Sequence, residues 1–368
     1  MVKILILGGG FGGIRAAIDL EKKLSAKGQA EITLIDKNNF HLFYPALYKI
    51  ASAYGVERDK FAVKLKKTIL IPYADIFGGR NINFVQAEIA SIDLKERIIK
   101  TKGEHAFSYD YLIIAIGSRS SDFGIPGVTD YACQFKGIQD ALDIREKTEI
   151  LFKKAEKNGN LPIKIVVVGA GFTGIELAAE IACRAKKLAK LRITILEAAP
   201  NILPSVSQKE RQIITEQLTG QGIIVMENSV VEEVGFDYVR LKNGQRLQTN
   251  LTIWTTGSEP NKLFHSVQSL SLDERRGIII NNNLMVKDFE NVFAVGDNIM
   301  FIDPKSQRPI PALAYIAIDQ GKLVAENIMR NINGKKLKEY RPSYNVWIAP
   351  VGGRFALVHL RNDMNIKG

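Results

Sequence analysis

Residues 8–13 read GGGFGG and residues 169–174 read GAGFTG, and each run follows a short apolar stretch, KILIL at 3–7 and KIVVV at 164–168. An acidic residue stands 23 positions after the last glycine of each run, Asp36 in the first copy and Glu197 in the second. The second copy therefore lies 161 positions after the first throughout (169 − 8 and 197 − 36). Two such copies predict two dinucleotide-binding βαβ units.

The glycines have separate purposes in such a unit. The first permits a tight turn, the second lets the backbone approach a pyrophosphate, and the third lets helix and strand pack closely. The helix N-terminus then offers unpaired N–H groups to the phosphates. Asp36 and Glu197 end the second strand of their units, where a carboxylate can accept hydrogen bonds from ribose hydroxyls. The alternative, a glycine-rich turn that binds nothing, leaves the repeated spacing unexplained.

Length and composition favour an ordinary two-domain globular protein. The chain has 368 residues, of which 46% are hydrophobic and 24% charged. No apolar stretch is long enough to span a bilayer, and the apolar start is too short for a signal peptide. We therefore expect a cytoplasmic protein without a transmembrane helix.

Cysteine and histidine usage argues against thiol and metal chemistry. The two cysteines, Cys133 and Cys183, are 50 positions apart and form no C-x-x-C motif. This spacing excludes a disulfide framework and a redox dithiol. The four histidines are scattered, so no metal site is expected: they are His41, His105, His265 and His359.

The net charge of +11 limits the choice of partners. Basic residues cluster at Lys60–Lys67, Arg184–Arg192 and Lys335–Arg341, and such charge attracts nucleic acid or anionic lipid. No nucleic-acid-binding module is readable, so no nucleic acid is expected as a partner. Two explanations of the basic clusters stay open, namely solvated helix faces and attraction to an anionic membrane surface. A homodimer is also possible.

The order of elements predicts an inserted domain. Each fingerprint is followed by a β-rich crossover, with residues 85–93 and 97–100 alternating like antiparallel strands in the first copy, and then by an apolar strand ending in Gly117 or Gly257. A buried strand ending in Gly296-Asp297 completes the first unit, with Asp297 placed for a flavin ribityl chain. We predict an FAD-binding domain at 1–119 and 259–340, an NAD(H)-binding domain at 120–258 inserted into it, and a short C-terminal β segment at 341–368. Both domains are expected to be Rossmann-like, with three ββα layers.

This order resembles the two-dinucleotide-binding flavoproteins of the disulfide-reductase type. Within them, residues 36–48 (DKNNFHLFYPALY), 171–180 (GFTGIELAAE) and 201–208 are similar to the type II NADH:quinone oxidoreductases. The resemblance covers nearly the whole chain. It implies a peripheral membrane enzyme in which NADH reduces noncovalently bound FAD and the electrons pass to a quinone without proton pumping.

The pattern and the resemblance together give the expected site residues. FAD is expected at Gly8, Gly10, Phe11, Gly12, Gly13, Asp36, Lys37, His41, Ala87, Ala115, Gly117, Gly296, Asp297 and Ala314. NADH is expected at Gly169, Gly171, Phe172, Thr173, Gly174, Glu197 and Gly257. Glu197 would face the 2′-phosphate of NADPH with like charge, and Ala198 and Ala199 supply no arginine for it, so NADH is preferred.

The resemblance implies two catalytic residues, Glu176 and Tyr315. Glu176 lies near the start of the second fingerprint helix and is a candidate for proton transfer to the quinone, although a carboxylate there also suits the helix dipole. Tyr315 and Asp319 stand where the family usually has two glutamines, and Tyr44 stands where it has another. Tyr315 can donate a hydrogen bond to a quinone oxygen, whereas an ionised Asp319 can only accept.

Three alternatives differ in the electron acceptor. A sulfide:quinone oxidoreductase needs paired cysteines that the chain lacks. A reductase of a ferredoxin or rubredoxin has the same fold without active-site cysteines, and a flavin-containing NADH sensor would turn over only incidentally. The family's amphipathic C-terminal extension is missing after Gly368. We therefore expect salt-sensitive attachment to the cytoplasmic membrane face, with Lys335, Lys336 and Lys338 contributing.

Overall fold

The computed structural model describes residues 1–55, 68–159, 161–204, 206–274, 277–343, 346–360 and 364–367. Its strands are β1 Val2–Leu7, β2 Ala30–Asp36, β3 Phe40–Leu42, β4 Leu70–Pro72, β5 Asn83–Gln86, β6 Ile89–Asp93, β7 Ile98–Thr101, β8 Ala106–Ser108, β9 Tyr111–Ile114, β10 Ser118–Ser120, β11 Ala132–Gln134, β12 Ile163–Val168, β13 Leu191–Leu196, β14 Ile224–Met226, β15 Val231–Val234, β16 Tyr238–Leu241, β17 Arg246–Gln248, β18 Leu251–Trp254, β19 Ser258–Pro260, β20 Val292–Ala294, β21 Trp347–Pro350, β22 Ala356–Leu360 and β23 Met364–Lys367. Its α-helices span Phe11–Lys23, Leu47–Ala51, Tyr73–Phe77, Val128–Tyr131, Ile138–Lys157, Phe172–Ala185, Gln208–Gly220 and Ala314–Ile332.

The described residues form two compact units. The first unit contains residues 1–44, 68–119, 258–274 and 277–343. The second contains residues 45–55, 120–159, 161–204, 206–257, 346–360 and 364–367. Most of the second unit is thus inserted in the chain between two parts of the first. Residues 45–55 and the C-terminal strands also belong to the second unit.

A five-stranded parallel sheet forms the centre of the first unit, in the order β20-β9-β1-β2-β5. Leu7, the last residue of β1, is paired with Ile35 on one side and with Ile114 on the other. The carboxyl ends of these strands therefore meet at one edge of the sheet. In open α/β sheets, ligands bind outside this edge.

Both faces of this sheet are buried, which explains the uninterrupted apolar run of β1. Ile4 and Ile6 pack into the cluster that contains the helices Phe11–Lys23 and Ala314–Ile332. Leu5 and Leu7 point to the opposite face and pack with Ile99 and other residues of the antiparallel sheet β6-β7-β8. Successive side chains of a strand alternate between faces, so a strand between two layers must be apolar throughout.

One expectation about this region was wrong. Val85 and Gln86 do not belong to the antiparallel sheet that residues 97–100 join, because they end the parallel strand β5 beside β2. The antiparallel pairing begins at Ile89, opposite Thr101. Alternating apolar residues show that a strand is half-buried, but they do not identify the strand with which it pairs.

The second unit repeats this plan. Its parallel sheet has the order β11-β18-β12-β13-β14, and the antiparallel sheet β15-β16-β17 covers one face. Val166 and Val168 of β12 pack against Val239 and Leu241 of that antiparallel layer. The helix Phe172–Ala185 follows β12 directly, as the helix Phe11–Lys23 follows β1. The expected fold class, two Rossmann-like units of three layers, is confirmed.

Two further segments complete the second unit. The C-terminal strands form the antiparallel sheet β21-β22-β23, and the short helix Leu47–Ala51 packs on the helices Ile138–Lys157 and Phe172–Ala185. Of the three basic clusters, Lys60–Lys67 lies outside the described residues. None of the helices in the described ranges is long and apolar enough to cross a membrane.

Candidate functional site

The first fingerprint turn needs glycine at positions where a side chain would not fit. Gly8 has a φ of +101°, and a Cβ at this position would overlap the carbonyl oxygen of Ala115. A Cβ at Gly13 would overlap the carbonyl oxygen of Gly8, so the helix can lie this close to β1 only with glycine there. A Cβ at Gly10, by contrast, would meet nothing within 4 Å apart from its two chain neighbours. The turn therefore presents bare backbone to open space, which is the shape a pyrophosphate requires.

Asp36 is fixed to this turn by its own hydrogen bonds. Its Oδ2 accepts from the backbone N–H of Gly9 at 2.7 Å and its Oδ1 accepts from the N–H of Asn38 at 2.8 Å. A carboxylate has about four lone-pair positions, so both oxygens retain acceptor capacity for ribose hydroxyls. The hydrogen bonds hold the carboxylate rigidly beside the open side of the turn.

Two buried side chains hold the carbonyl oxygen of Gly9. The Tyr73 hydroxyl donates to it at 2.8 Å, and His41 Nδ1 lies 3.0 Å from it. Burial lowers the pKa of His41, so the imidazole is neutral at pH 7. Because a carbonyl can only accept, Nδ1 carries the proton of this neutral ring. His41 therefore supports the fingerprint turn, and Tyr73, which no sequence motif marks, does the same.

The Gly-Asp element lies at the end of β20. The N–H of Gly296 donates to Gln320 Oε1 at 2.7 Å, and Asp297 Oδ2 accepts from the Ser118 hydroxyl at 2.9 Å. Gly321 follows Gln320, and a Cβ there would overlap the Gly12 carbonyl oxygen where the helix Ala314–Ile332 lies close to the first fingerprint helix. The helix that begins at Ala314 thus positions the Gly-Asp element and the turn of the first fingerprint together.

The remaining expected FAD residues surround the same edge of the sheet. Ala115 donates its N–H to Leu7 at 2.7 Å, and Ala87 donates its N–H to the Asp36 carbonyl at 2.9 Å. Gly117 has a φ of +70°, and the Phe11 ring contacts the His41 ring edge-to-face at 4.7 Å. Lys37 follows Asp36 directly. This edge has the open glycine turn, the acid and the Gly-Asp element that a flavin dinucleotide needs.

The second fingerprint reproduces the first in detail. Gly169 has a φ of +104°, and a Cβ at Gly174 would overlap the Gly169 carbonyl oxygen. Apart from its two chain neighbours, a Cβ at Gly171 would meet nothing within 4 Å. Glu197 Oε2 accepts from the N–H of Ala170 at 2.8 Å, and its Oε1 accepts from the N–H of Ala199 at 2.9 Å. Each acid therefore accepts from the residue after the first glycine and from the residue two positions beyond itself.

Three more expected residues lie at this edge. Phe172 and Thr173 begin the helix whose first N–H groups point toward the open side of the turn. Gly257, with a φ of +80°, follows β18, and a Cβ there would overlap the ring of Phe123. This second turn has the same open backbone and fixed acid, so it also fits a dinucleotide.

Glu176 lies in the helix Phe172–Ala185, five residues after Gly171. Burial raises the pKa of Glu176 to about 8 from its ordinary value of 4.5. Tyr48, buried in the same unit, has its pKa raised to about 12, first by burial and then by the charges of Glu176 and Glu180. At neutral pH Glu176 is therefore mainly a protonated carboxyl that can donate a proton.

Tyr315 lies one turn before Asp319 on the helix Ala314–Ile332 of the first unit. Burial raises the pKa of the Tyr315 phenol, and the charge of Asp319 raises it further. The phenol therefore keeps its proton at neutral pH and remains a hydrogen-bond donor. Tyr315 belongs to the first unit and Glu176 to the second.

The two cysteines do not form a disulfide bond with each other. Cys133 and Cys183 are both free, and burial raises the pKa of each thiol. Within the described ranges, no group of three or more histidine, cysteine or acidic side chains is placed to hold a metal ion.

Comparison with known proteins agrees with this geometry. Residues 2–321 match the model of the family described as pyridine nucleotide-disulphide oxidoreductase. The chain is 31% identical over 353 residues to the type II NADH:quinone oxidoreductase of Staphylococcus aureus, and the match covers 92% of this chain and 84% of that relative.

Solved structures share the fold. NDH2 from Plasmodium falciparum in complex with NADH has a TM-score of 0.85 at 20% identity, covering 100% of this chain and 91% of that one. A ferredoxin reductase from Rhodopseudomonas palustris has a TM-score of 0.77 at 22% identity, covering 97% and 82%. At these identities the two structures show a shared fold alone.

The chain with its two dinucleotide-binding units thus belongs to the pyridine nucleotide-disulphide oxidoreductase family. Within this family it groups with the type II NADH:quinone oxidoreductases, as its sequence motifs indicated. The protein is an enzyme, an NADH dehydrogenase with FAD and NADH as its cofactors.

Proposed function

We propose that this enzyme passes a hydride from NADH to FAD and then electrons to a quinone, in a reaction that is not coupled to proton pumping. The observation that carries the proposal is the pair of matching turns at Gly8–Gly13 and Gly169–Gly174, each with open backbone and a fixed acid. Two turns of this kind accommodate the two dinucleotides that such a transfer requires. The Staphylococcus aureus relative, named for NADH and quinone, supports the choice of acceptor.

We assign FAD to the first unit. Residues 1–119 and 259–340 would form its domain, with the pyrophosphate at Gly10 and the adenosine ribose at Asp36. Asp297 would accept from the ribityl hydroxyls, held in place by the Ser118 hydroxyl. The residues named above from Phe11 to Ala314 would line the same edge. The chemistry that bound FAD supplies is the uptake of a hydride and the transfer of its electrons to an acceptor.

We assign NADH to the second unit, within residues 120–258. The pyrophosphate would lie at Gly171 against the first N–H groups of the helix that begins at Phe172. Glu197 would accept from the ribose hydroxyls with the lone pairs that Ala170 and Ala199 leave open. An additional phosphate on that ribose would meet this carboxylate with like charge, which favours NADH over NADPH.

Reduction of the quinone would depend on two side chains that carry a proton at neutral pH. Glu176 holds a proton at neutral pH because of its raised pKa, and we propose that it gives this proton to the quinone as electrons arrive. Tyr315 would donate a hydrogen bond to a quinone oxygen, since its phenol also stays protonated. Tyr315 and Asp319 would replace the two glutamines that are usual in this helix of the family, and Tyr44 would replace another.

We further propose that the protein attaches peripherally to the cytoplasmic face of the membrane. Lys335 and Lys336 are exposed, and each basic residue near an anionic surface contributes about 1 kcal/mol. Lys338, which the sequence placed in the same group, is ion-paired with Glu326 at 2.6 Å, so part of its charge is already compensated.

Steady-state oxidation of NADH with different acceptors tests the proposed reaction. Flavin-loaded protein should oxidise NADH rapidly with ubiquinone-1 as the acceptor. Turnover that required an added ferredoxin would favour a reductase of a soluble iron–sulfur protein, which the basic net charge of +11 would also suit. Flavin reduction without appreciable turnover with any acceptor would favour an NADH sensor.

A further inference from the structure

The first strand of the C-terminal sheet places an aromatic ring against the second fingerprint. The ring of Trp347 lies 5.3 Å from the ring of Phe172, with the two planes inclined at 59°. Phe172 is the residue after Gly171 and the first residue of the helix Phe172–Ala185. Both aromatic residues belong to the second unit. The indole therefore contacts the residue that borders the open backbone at Gly171.

Trp347 is itself held on its other side. Its indole stacks on the imidazole of His359, with the ring centres 5.5 Å apart and the planes at 2°. His359 Nδ1 lies 2.6 Å from Glu210 Oε1. Glu210 also accepts from the Ser207 hydroxyl at 2.6 Å, at the start of the helix Gln208–Gly220. Phe172 is thus connected through two stacked rings to the N-terminus of a second helix.

Hydrogen bonds hold the residues of this connection in place. Burial tends to raise the pKa of Glu210, but its hydrogen bonds with Ser207 and His359 outweigh burial and lower that pKa, so Glu210 is a carboxylate that accepts from both. The loop between β21 and β22 is fixed as well. The N–H of Gly353 donates to Glu180 at 3.2 Å, and Gln221 donates to the Val351 carbonyl at 2.6 Å. These contacts within the second unit hold Trp347 in position.

Phe172 stands at the exposed start of its helix. Its side chain is half-buried, and its neighbours in the turn, Gly171 and Thr173, are exposed. A first-turn phenylalanine without a neighbouring ring has several rotamers to occupy, and its chain neighbour Gly171 has no side chain to limit them. Contact with a second ring restricts this freedom, because aromatic pairs have preferred geometries and contribute beyond their buried area.

We propose that Trp347 is a positioning residue for NADH. It keeps the Phe172 ring to one side, so the backbone at Gly171 stays open for the pyrophosphate, and the His359–Glu210 pair fixes the indole for this purpose. The inference rests on the assignment of NADH to the second fingerprint. It extends the nucleotide site to the C-terminal sheet, which contributes no residue of the fingerprint.

Anaerobic reduction of the flavin-loaded enzyme by NADH in a stopped-flow instrument tests the proposal. The dependence of the rate on NADH concentration separates the Kd for NADH from the limiting rate of reduction. For Trp347→Leu and Trp347→Ala we expect Kd to rise about five- to ten-fold, with the limiting rate within about two-fold of the wild type. Trp347→Phe, which retains a ring against Phe172, should bind NADH nearly as the wild type does.

Matched variants separate the inference from the assignment on which it rests. Ile348→Ala changes the exposed neighbour of Trp347 on β21 and should leave Kd unchanged. Glu197→Ala should raise Kd if the second fingerprint binds NADH, and an unchanged Kd would instead refute that assignment. If Glu197→Ala weakens binding while Trp347→Leu and Trp347→Ala keep the wild-type Kd, the role of Trp347 is overturned. If the alanine variant fails to fold, the leucine and phenylalanine variants still decide the matter.

Discussion

The carboxylate of Glu197 accepts a hydrogen bond of 2.8 Å from the backbone N–H of Ala170, 27 residues earlier in the chain. Asp36 makes the equivalent bond with the N–H of Gly9 at 2.7 Å, also across 27 residues. The acid is therefore part of the turn in both units, and its charge is held where a ribose would lie. Replacing it with a neutral residue therefore changes the charge of the nucleotide site.

Glu197→Gln should narrow the preference for NADH over NADPH. The amide removes the negative charge that opposes a 2′-phosphate, while its oxygen can still accept one of the two backbone hydrogen bonds. We expect the ratio of kcat/KM values for the two nucleotides to fall about ten-fold, or about 1.4 kcal/mol. The control is Glu227→Gln, since Glu227 also accepts a backbone N–H in this unit but lies outside the fingerprint. Equal kcat/KM values for both nucleotides in the unmutated enzyme would contradict the assignment.

Tyr73→Phe should destabilise the first unit. It removes the 2.8 Å hydrogen bond to the Gly9 carbonyl, while the contact of His41 with that oxygen remains. The expected loss in the free energy of unfolding is about 1 kcal/mol, measured by urea denaturation. Tyr109→Phe is the matched control, because the buried Tyr109 hydroxyl has no hydrogen-bond partner within the described part of the chain. Equal losses in the two variants would show that the hydroxyl of Tyr73 does not support the turn.

Because of Glu176, both the stability of the protein and the rate of quinone reduction should fall as the pH rises above neutrality. Burial raises the pKa of this carboxyl from 4.5 to about 8, so the folded protein retains a proton that the unfolded chain releases. The stability gained from this proton is complete below pH 4.5 and is lost as the pH rises through about 8. Quinone reduction should slow over the upper part of this range, as the carboxyl loses the proton it donates.

The pH–rate profile of Glu176→Gln checks this expectation. The variant has no proton to lose, so the step near pH 8 should disappear from its profile and the rate at neutral pH should fall. The exposed Glu156 provides the control, since Glu156→Gln should retain the wild-type profile. A step that persists unchanged in Glu176→Gln would assign the ionisation to another group.

The fingerprints could be read from the sequence because glycine spacing records backbone constraints directly. Gly13 and Gly174 are required by the closeness of a helix to its strand, and this requirement is independent of the rest of the fold. The residues that support the turns leave no such spacing pattern in the sequence. Tyr73 reaches Gly9 across 64 residues and Ser118 reaches Asp297 across 179, and single polar or aromatic residues at such distances resemble any others.

Trp347 was missed for the same reason. The sequence showed a strand-like segment, but the contact with Phe172 depends on how the C-terminal sheet packs on the rest of the second unit. The raised pKa of Glu176 was also beyond the sequence, since burial is a property of the folded chain. Sequence spacing thus located the nucleotide turns, while long-range packing determined which residues support them and raised the pKa of Glu176.

Attachment to anionic vesicles should depend on salt. Protein should co-sediment with phosphatidylserine-containing vesicles at low ionic strength and leave them at high ionic strength, because screening weakens attraction between exposed charges. Replacing Lys335 and Lys336 together with glutamine should reduce binding at low salt. Binding that survives high salt would reveal a hydrophobic anchor, and the absence of binding at any salt would point to a soluble acceptor.

The FAD content of Gly10→Ala and Gly171→Ala, together with flavin reduction by NADH in Gly171→Ala, tests the two-site account most directly. Both methyl groups would enter open space, so both variants should fold. Gly10→Ala should lose FAD and be colourless, because its methyl lies where the flavin pyrophosphate would bind. Gly171→Ala should stay yellow and release FAD on acid precipitation, yet should require much more NADH than the wild type for anaerobic flavin reduction. Wild-type reduction by NADH in Gly171→Ala, or loss of FAD from that variant alone, would contradict the assignment of the two turns.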